Sequence, residues 1–265
     1  MIELIGLSKA YGQTQVVNQA SALFPLGKVT AIIGPNGAGK STLLSMASRL
    51  TDSDAGEVLI GDKPLSEWSN EALAKRLAVL RQANNVNMRF RVRELVAFGR
   101  FPHSKGRLSE QDNAMIDDAL AQLGLTELQD RFIDQLSGGQ RQMAFIAMVV
   151  AQNTDYVFLD EPLNNLDIRH SVAIMKTVRE LAHRYNKAVV VVMHDINFSA
   201  CYADNMIAMK AGEVVASGRV KDVVTKPIME QIYEIDFEVE EINGQRICLY
   251  YGVATPSPSM AAIES

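Results

Sequence analysis

Two kinds of apolar run alternate along the chain. The segments "KVTAIIG" from Lys28, "LAVLRQ" from Leu77, "DYVFLDEP" from Asp155 and "AVVVVMHD" from Ala188 are apolar over most of their length, as strands covered on both faces of a parallel sheet are. "MIELIGL", "VVNQASALF" and "GEVLIG", all before residue 62, mix polar and apolar positions and predict an antiparallel layer leaning on that sheet. Between Gln82 and Asp155 the strand patterns stop. "VRELVAFGR", "SEQDNAMIDDALAQLG" and the stretch after Gly139 read as consecutive helices. After Lys210, "GEVVASGRV", a helix around "PIMEQIY" and "FEVEEINGQRICLYY" predict a small appendage with a frayed end at "ATPSPSMAAIES". The expected fold is therefore α/β: a core over about 1–82 and 155–210, an inserted helical subdomain over about 83–154, and an appendage over about 211–265.

Composition narrows the function classes. With 265 residues, 48% of them hydrophobic, the chain can bury a substantial core. A net charge of −5 gives no general basic field, so nucleic acid is not the expected partner and any anion site must be local. The start, with Glu3 among apolar residues, has no cationic-then-apolar leader pattern, and runs such as "MAFIAMVVA" from Met143 are too short to span a bilayer, so the expected setting is cytoplasmic. Cys201 and Cys248 stand apart without metal-ligand spacing and are expected to be reduced thiols.

The chemistry is concentrated in short motifs. "GPNGAGKST", Gly34 to Thr42, fits the phosphate-binding P-loop, and it sits between a strand pattern and a helix pattern as that motif requires. Glycines let successive backbone N–H groups face phosphate oxygens, the helix start adds positive potential, Lys40 reaches the β- and γ-phosphates, and Ser41 can ligate Mg²⁺. "YVFLDEP" delivers Asp160 and Glu161 where a parallel strand meets its ligand crevice; the first suits Mg²⁺ and the second suits an attacking water. His194 and Gln82 end other buried strand patterns; the imidazole could touch a γ-phosphate, and the amide could reach Mg²⁺ or the water. His103, His170 and His183 lack that strand-end setting and are expected to be solvated or packing residues. "LSGGQRQ", Leu136 to Gln142, sets two glycines before an apolar helix, which suggests a second anion nest with Ser137 as an extra donor.

The order "GPNGAGKST", Gln82, "LSGGQRQ", "YVFLDEP", "NNLD" from Asn164 and His194 resembles the ATP-binding subunit of ABC transporters over nearly the whole chain. The resemblance implies a P-loop ABC ATPase with ATP and Mg²⁺. Tyr11 would stack on adenine; Gly34, Asn36, Gly37, Ala38, Gly39, Lys40, Ser41 and Thr42 would hold phosphates; Ser41, Gln82 and Asp160 would serve Mg²⁺. Glu161 would be the general base and His194 the γ-phosphate switch, with Gln82 beside them. Ser137, Gly138, Gly139 and Gln140 would complete the ATP site of a partner subunit, so that a homodimer sandwiches ATP in composite sites; Asp167 is carried over as a further nucleotide-binding residue. That trans arrangement rests on the resemblance, because so long a segment between Lys40 and Ser137 can also fold back. "NNLD" departs from the small residue and alanine that many relatives carry there, which leaves Asn164 and Asn165 without an assigned role.

The stretch "VRELVAFGRFPHSKGRLSEQD", Val92 to Asp112, is similar to the importer branch that takes up ferric siderophores, haem and vitamin B12, and most similar to its iron-siderophore members. The implied partners are integral-membrane permease subunits and, indirectly, a substrate-binding protein, with the chain peripheral on the cytoplasmic face of the cell membrane. Haem or vitamin B12 is the alternative cargo. A soluble ABC ATPase acting on nucleic acid or ribosomes would bring paired ATPase domains, zinc or coiled-coil insertions, or basic arms, and a P-loop kinase gives no reason for "LSGGQ".

Overall fold

The structure, a computed structural model, describes residues 1–81, 89–164 and 166–251. The first strand pair, β1 (Ile2–Tyr11) and β2 (Thr14–Phe24), closes in register through Tyr11 opposite Thr14, with Gly12 at φ 62° supplying the positive dihedral that a two-residue hairpin turn demands. Next come β3 (Val29–Ile33), α1 (Lys40–Ala47), β4 (Ala55–Ile60), β5 (Lys63–Pro64), α2 (Asn70–Ala74) and β6 (Leu77–Leu80). A helical stretch follows: α3 (Val92–Phe98), α4 (Phe101–Ser104), α5 (Glu110–Gln122) and α6 (Gly138–Gln152). The chain then alternates through β7 (Tyr156–Asp160), α7 (Ile168–His183), β8 (Ala188–Val192), α8 (Ile196–Tyr202) and β9 (Asn205–Lys210). It ends with β10 (Glu213–Arg219), α9 (Val220–Val223), α10 (Lys226–Tyr233), β11 (Glu238–Ile242) and β12 (Gln245–Leu249).

Among the described residues the strands form three sheets, ordered β2-β1-β4-β5, β10-β9-β3-β8-β7-β6 and β11-β12. In the six-stranded sheet every neighbouring pair from β9 to β6 is parallel, and β10 is an antiparallel edge on β9. This corrects the expectation that "GEVVASGRV" belongs to an appendage: the segment is hydrogen-bonded into the core sheet. The strand β9, with Asn205 and Lys210 at its ends, was not anticipated at all.

Strand alternation explains why the four apolar runs carry no polar face. Ala31 and Ile33 of β3, Val157 and Leu159 of β7, and Val189 and Val191 of β8 point into one core with the α3, α5, α6 and α7 helices. Ile32, Phe158, Val190 and Val192 point into the other, against Ile2, Leu4, Phe24 and Leu43. Phe24 and Phe158 meet edge to face with centroids 5.5 Å apart, tying the antiparallel layer to the parallel sheet by about 0.5–1.5 kcal/mol beyond area burial.

The helical stretch is locked from within. A Cβ on Gly99 would lie 2.0 Å from the Met148 carbonyl oxygen, so only glycine allows α3 to approach α6 this closely. Next to it, the Arg100 guanidinium donates to Asp112 on α5 at 2.8 Å and to the Ala151 carbonyl of α6 at 2.8 Å. Both side chains of that pair are under a tenth exposed.

Candidate functional site

Because β3, β8 and β7 are adjacent and parallel, their C-terminal ends bring three loops to one edge of the sheet, where open α/β sheets bind ligands. The loop after β3 runs from Gly34 to Gly39 and feeds α1. Two glycines in it are irreplaceable on steric grounds: a Cβ would lie 2.1 Å from the Met209 carbonyl at Gly34 and 2.5 Å from the Val16 carbonyl at Gly39, and both have positive φ. Asn36 to Thr42 line a cleft of about 190 Å³ together with Val16, Glu161 and His194.

Lys40 is the first residue of α1 and is buried, and its Nζ donates to the carbonyls of Gly34 at 2.8 Å and Pro35 at 2.9 Å. Burial lowers its pKa, against the pull of Glu161 and Asp160. The Lys40 amine is held close to its own loop, where it can exchange two carbonyl contacts for phosphate oxygens.

The second loop presents the carboxylates. The Ser41 hydroxyl donates to Asp160 Oδ1 at 2.9 Å. Burial raises the Asp160 pKa and the neighbouring Glu161 adds to the rise, while Ser41, Lys40 and Arg81 oppose it, the situation of an acid that gains from a cation. Glu161 stands at φ 50°, a left-handed conformation that costs a non-glycine residue energy, and its N–H donates to Val192 of β8 at 3.1 Å. From the third loop, His194 Nε2 lies 2.6 Å from Glu161 Oε1. The Asn164 side-chain amide donates to Glu161 Oε2.

The glycines of "LSGGQRQ" are not in that cleft. Ser137 caps α6, its hydroxyl accepting from Gln140 N–H at 3.3 Å while the Gln140 side chain accepts from Ser137 N–H at 3.1 Å. Gly138 and Gly139 are absent from the positive-φ residues, so the expected nest is instead a right-handed helix start, whose first N–H groups have no partner within the helix. Ser137 and Gln140 line a separate cavity of about 540 Å³ with Arg169 and His170.

Asp167 caps α7 through the His170 N–H at 2.8 Å, and it also holds His170 Nδ1 at 2.8 Å. A Cβ on Gly139 would lie 2.7 Å from the His170 ring. His170, expected to be a solvated or packing residue, lies against Gly139 where α7 and the start of α6 meet.

Other expected residues fall as follows. Tyr11 sits at the tip of the β1–β2 hairpin, 53% exposed and 5.8 Å from Lys9 Nζ; it is not among the residues lining the cleft. Gln82 and Asn165 lie outside the described residues. His103 meets the Gln152 carbonyl at 3.0 Å and His183 meets Asp204 at 2.9 Å, and both cysteines are free. Among the described residues no three His, Cys, Asp or Glu side chains cluster to hold a metal.

The comparisons with known proteins place the chain in a family. A family pattern described as ABC transporter matches residues 17–164. The petrobactin import ATP-binding protein YclP of Bacillus subtilis (strain 168) is 47% identical over 251 residues, which cover 95% of this chain and 100% of that protein. From the same organism, the iron(3+)-hydroxamate import ATP-binding protein FhuC is 38% identical, with 92% of this chain and 93% of that protein covered. The dimeric structure of MJ0796, a bacterial ABC transporter cassette, superposes with a TM-score of 0.74 at 28% identity, covering 83% of this chain and 99% of that one. With its phosphate-binding loop, paired carboxylates and helix-capping "LSGGQ" in this arrangement, the chain belongs to the ABC transporter family, as an ATP-binding subunit.

Proposed function

We propose that the chain hydrolyses ATP at composite sites of a head-to-tail homodimer and so drives a membrane permease that imports a ferric siderophore. The observation that carries the chemistry is the convergence of Lys40, Glu161 and His194 on one cleft at the ends of β3, β7 and β8. The loop from Asn36 to Thr42 encloses the phosphates, and Lys40 leaves the Gly34 and Pro35 carbonyls for the β- and γ-phosphate oxygens. Glu161 takes the proton of a water in line with the γ-phosphorus as the new P–O bond forms. The bond to the β,γ-bridging oxygen breaks, and ADP and phosphate leave. His194 moves from Glu161 to the γ-phosphate when ATP is present.

A divalent cation fits the residues here: Ser41 Oγ and Asp160 Oδ1 stand 2.9 Å apart, an all-oxygen pair suited to Mg²⁺, with Gln82 as a further ligand. Once bound, Mg²⁺ would neutralise charge on the phosphates. The trans arrangement is supported by the separation of "LSGGQ" from the cleft within one chain: Ser137 and Gln140 face a different cavity. Their helix start supplies donors that only a second copy can aim at the open side of the triphosphate. Tyr11, exposed at a hairpin tip, is the adenine platform in this reading.

Three structural parts serve that function: an α/β core that holds ATP, a helical subdomain that carries Ser137 and meets the permease, and an appendage that starts after β10. Exposed Phe98 and Phe101, at 48% and 60%, support docking of this segment on a membrane partner. Among the described residues no helix is long and apolar enough to cross a membrane, consistent with a peripheral place on the cytoplasmic face. The siderophore assignment rests on the relatives named for petrobactin and iron-hydroxamate import. Its test is to purify the chain from membranes with its permease and substrate-binding protein, reconstitute the complex, and measure ATP turnover with iron–petrobactin, iron–hydroxamate, haem and vitamin B12. An iron siderophore is expected to stimulate turnover; stimulation by nucleic acid, or by haem or vitamin B12 alone, contradicts the assignment.

A further inference from the structure

We infer that Asn164 is the positioning residue of the general base, its side-chain amide holding one oxygen of Glu161 so that the carboxylate keeps its orientation while the other oxygen, which faces His194, takes the proton of the attacking water. This rests on the reading of Glu161 as the base. Three observations meet at one turn. The Asn164 side-chain NH₂ donates to Glu161 Oε2. The Asn164 backbone N–H donates to the Glu161 carbonyl at 3.3 Å, closing the turn from the other end. Glu161 itself is held at φ 50°, and that strain is tolerated because the surrounding contacts fix it.

The two carboxylate oxygens are held by different parts of the chain: Oε2 by Asn164, three residues on in the same turn, and Oε1 by His194, from the end of β8, at 2.6 Å. When His194 turns to the γ-phosphate, Oε1 is released toward the cleft while Oε2 keeps its amide. The carboxylate therefore retains its orientation at the moment it must accept a proton. A primary amide suits this task. It donates without titrating, and a carboxylate oxygen accepting one N–H still has a second lone pair.

The reach matters as well. From this turn position the donor must lie at least two bonds beyond Cβ, which an asparagine or glutamine amide provides and a serine hydroxyl, one bond beyond, does not. Aspartate has the shape but offers an acceptor. Asn164 lines a cavity of about 250 Å³ with Glu161 and His194 but does not line the cleft around the P-loop, so its expected effect is on the rate of the chemical step and not on ATP affinity.

The experiment compares full-length Asn164→Ala, Asn164→Asp and Asn164→Gln with the parent chain and with Glu161→Gln, measuring kcat and KM for ATP, ATP-driven dimerisation and the thermal unfolding midpoint. Expected are kcat values lower on the order of 10- to 100-fold for the Ala and Asp variants, the range for a misplaced catalytic group, with KM, dimerisation and unfolding unchanged. Asn164→Gln, which keeps the amide, should recover turnover above the Ala variant. Parent-like kcat in the Ala and Asp variants, with Glu161→Gln inactive, overturns the role of Asn164 and leaves the base reading intact. Loss of kcat matched by loss of ATP binding or of thermal stability also overturns it, as does a Gln variant no better than Ala. Normal turnover by Glu161→Gln removes the base reading and this inference with it.

Discussion

Two helices begin at glycine-rich motifs, and they begin differently. The α1 helix follows Gly39, whose φ of 93° places it in the left-handed region, and no side chain caps it. Gly34 and Gly37 also have positive φ, so the loop before α1 curls and wraps a cleft. The α6 helix follows Ser137 in an extended conformation, closes a reciprocal cap with Gln140, and carries its glycines inside a right-handed first turn. The first start encloses an anion from several sides within one chain. The second is a helix end capped by its own Ser137–Gln140 pair, lining a cavity separate from the cleft; in the proposed reading it meets a triphosphate from across an interface. Similar composition thus gives a curled loop in one place and a capped helix start in the other, and backbone hand makes the difference.

The largest expected effect separates binding from hydrolysis while leaving both helix starts intact. Glu161→Gln keeps the cradle of α1 and the cap of α6, so it should bind ATP yet lose turnover by roughly 10² or more, the range of a general base, and accumulate as a closed ATP-bound dimer. Size-exclusion chromatography with ATP and a phosphate-release assay check this; near-parent turnover removes Glu161 from the role.

Next in size is the platform that carries the second start. Arg100→Met leaves Asp112 buried without its partner and releases the Ala151 carbonyl at the far end of α6, at an expected cost of about 3–5 kcal/mol in unfolding free energy. Urea unfolding measures it, and a change near zero means the pair does not hold α6. The Ser109 N–H and hydroxyl, with Arg100, pull the Asp112 pKa from 3.8 down to about 2. A depressed folded-state pKa contributes stability above the unfolded value and loses it as pH falls through the folded one, so this contribution should fade between about pH 4 and pH 2. Asp112→Asn should flatten that part of the stability profile.

The smallest effect tests α6 alone. Ser137→Ala removes the side-chain acceptor for Gln140 N–H and should cost about 0.5–2 kcal/mol. The same change in α1 has no counterpart, because no side chain caps it. An unaltered unfolding midpoint in Ser137→Ala would show that the cap contributes little in this chain.

How much of this was legible beforehand depended on whether a feature is local. The P-loop, the Asp160–Glu161 pair and His194 were readable because each lies at the end of an apolar run, and parallel pairing of those runs forces them to one edge. β9 was not, since "NMIAMK" has polar ends and methionines in place of the β-branched residues that mark strands. β10 looked like the start of an appendage because an edge strand is half exposed and alternates. The hand of the α6 glycines is not legible from the pair itself, because two adjacent glycines permit either hand and the Ser137–Gln140 cap selects the helix. The contacts of Asn164 with Glu161 and of His170 with Gly139 depend on the path of the turn after β7, so spacing alone gives Asn164 no role and does not say what His170 packs against.

The central claim is that α1 and α6 of different copies share one ATP. Lys40→Ala and Ser137→Arg chains, each alone, form homodimers with a defect in both sites. Combined in one differentially tagged dimer, they give one site with both defects and, if the second helix start acts across the interface, one site with neither. The measurement is the amount of nucleotide trapped per mixed dimer. The account predicts one trapped nucleotide per mixed dimer and none in either parent. Mixed dimers verified by both tags yet holding no nucleotide would contradict it, since that result is expected when Ser137 serves the site of its own chain.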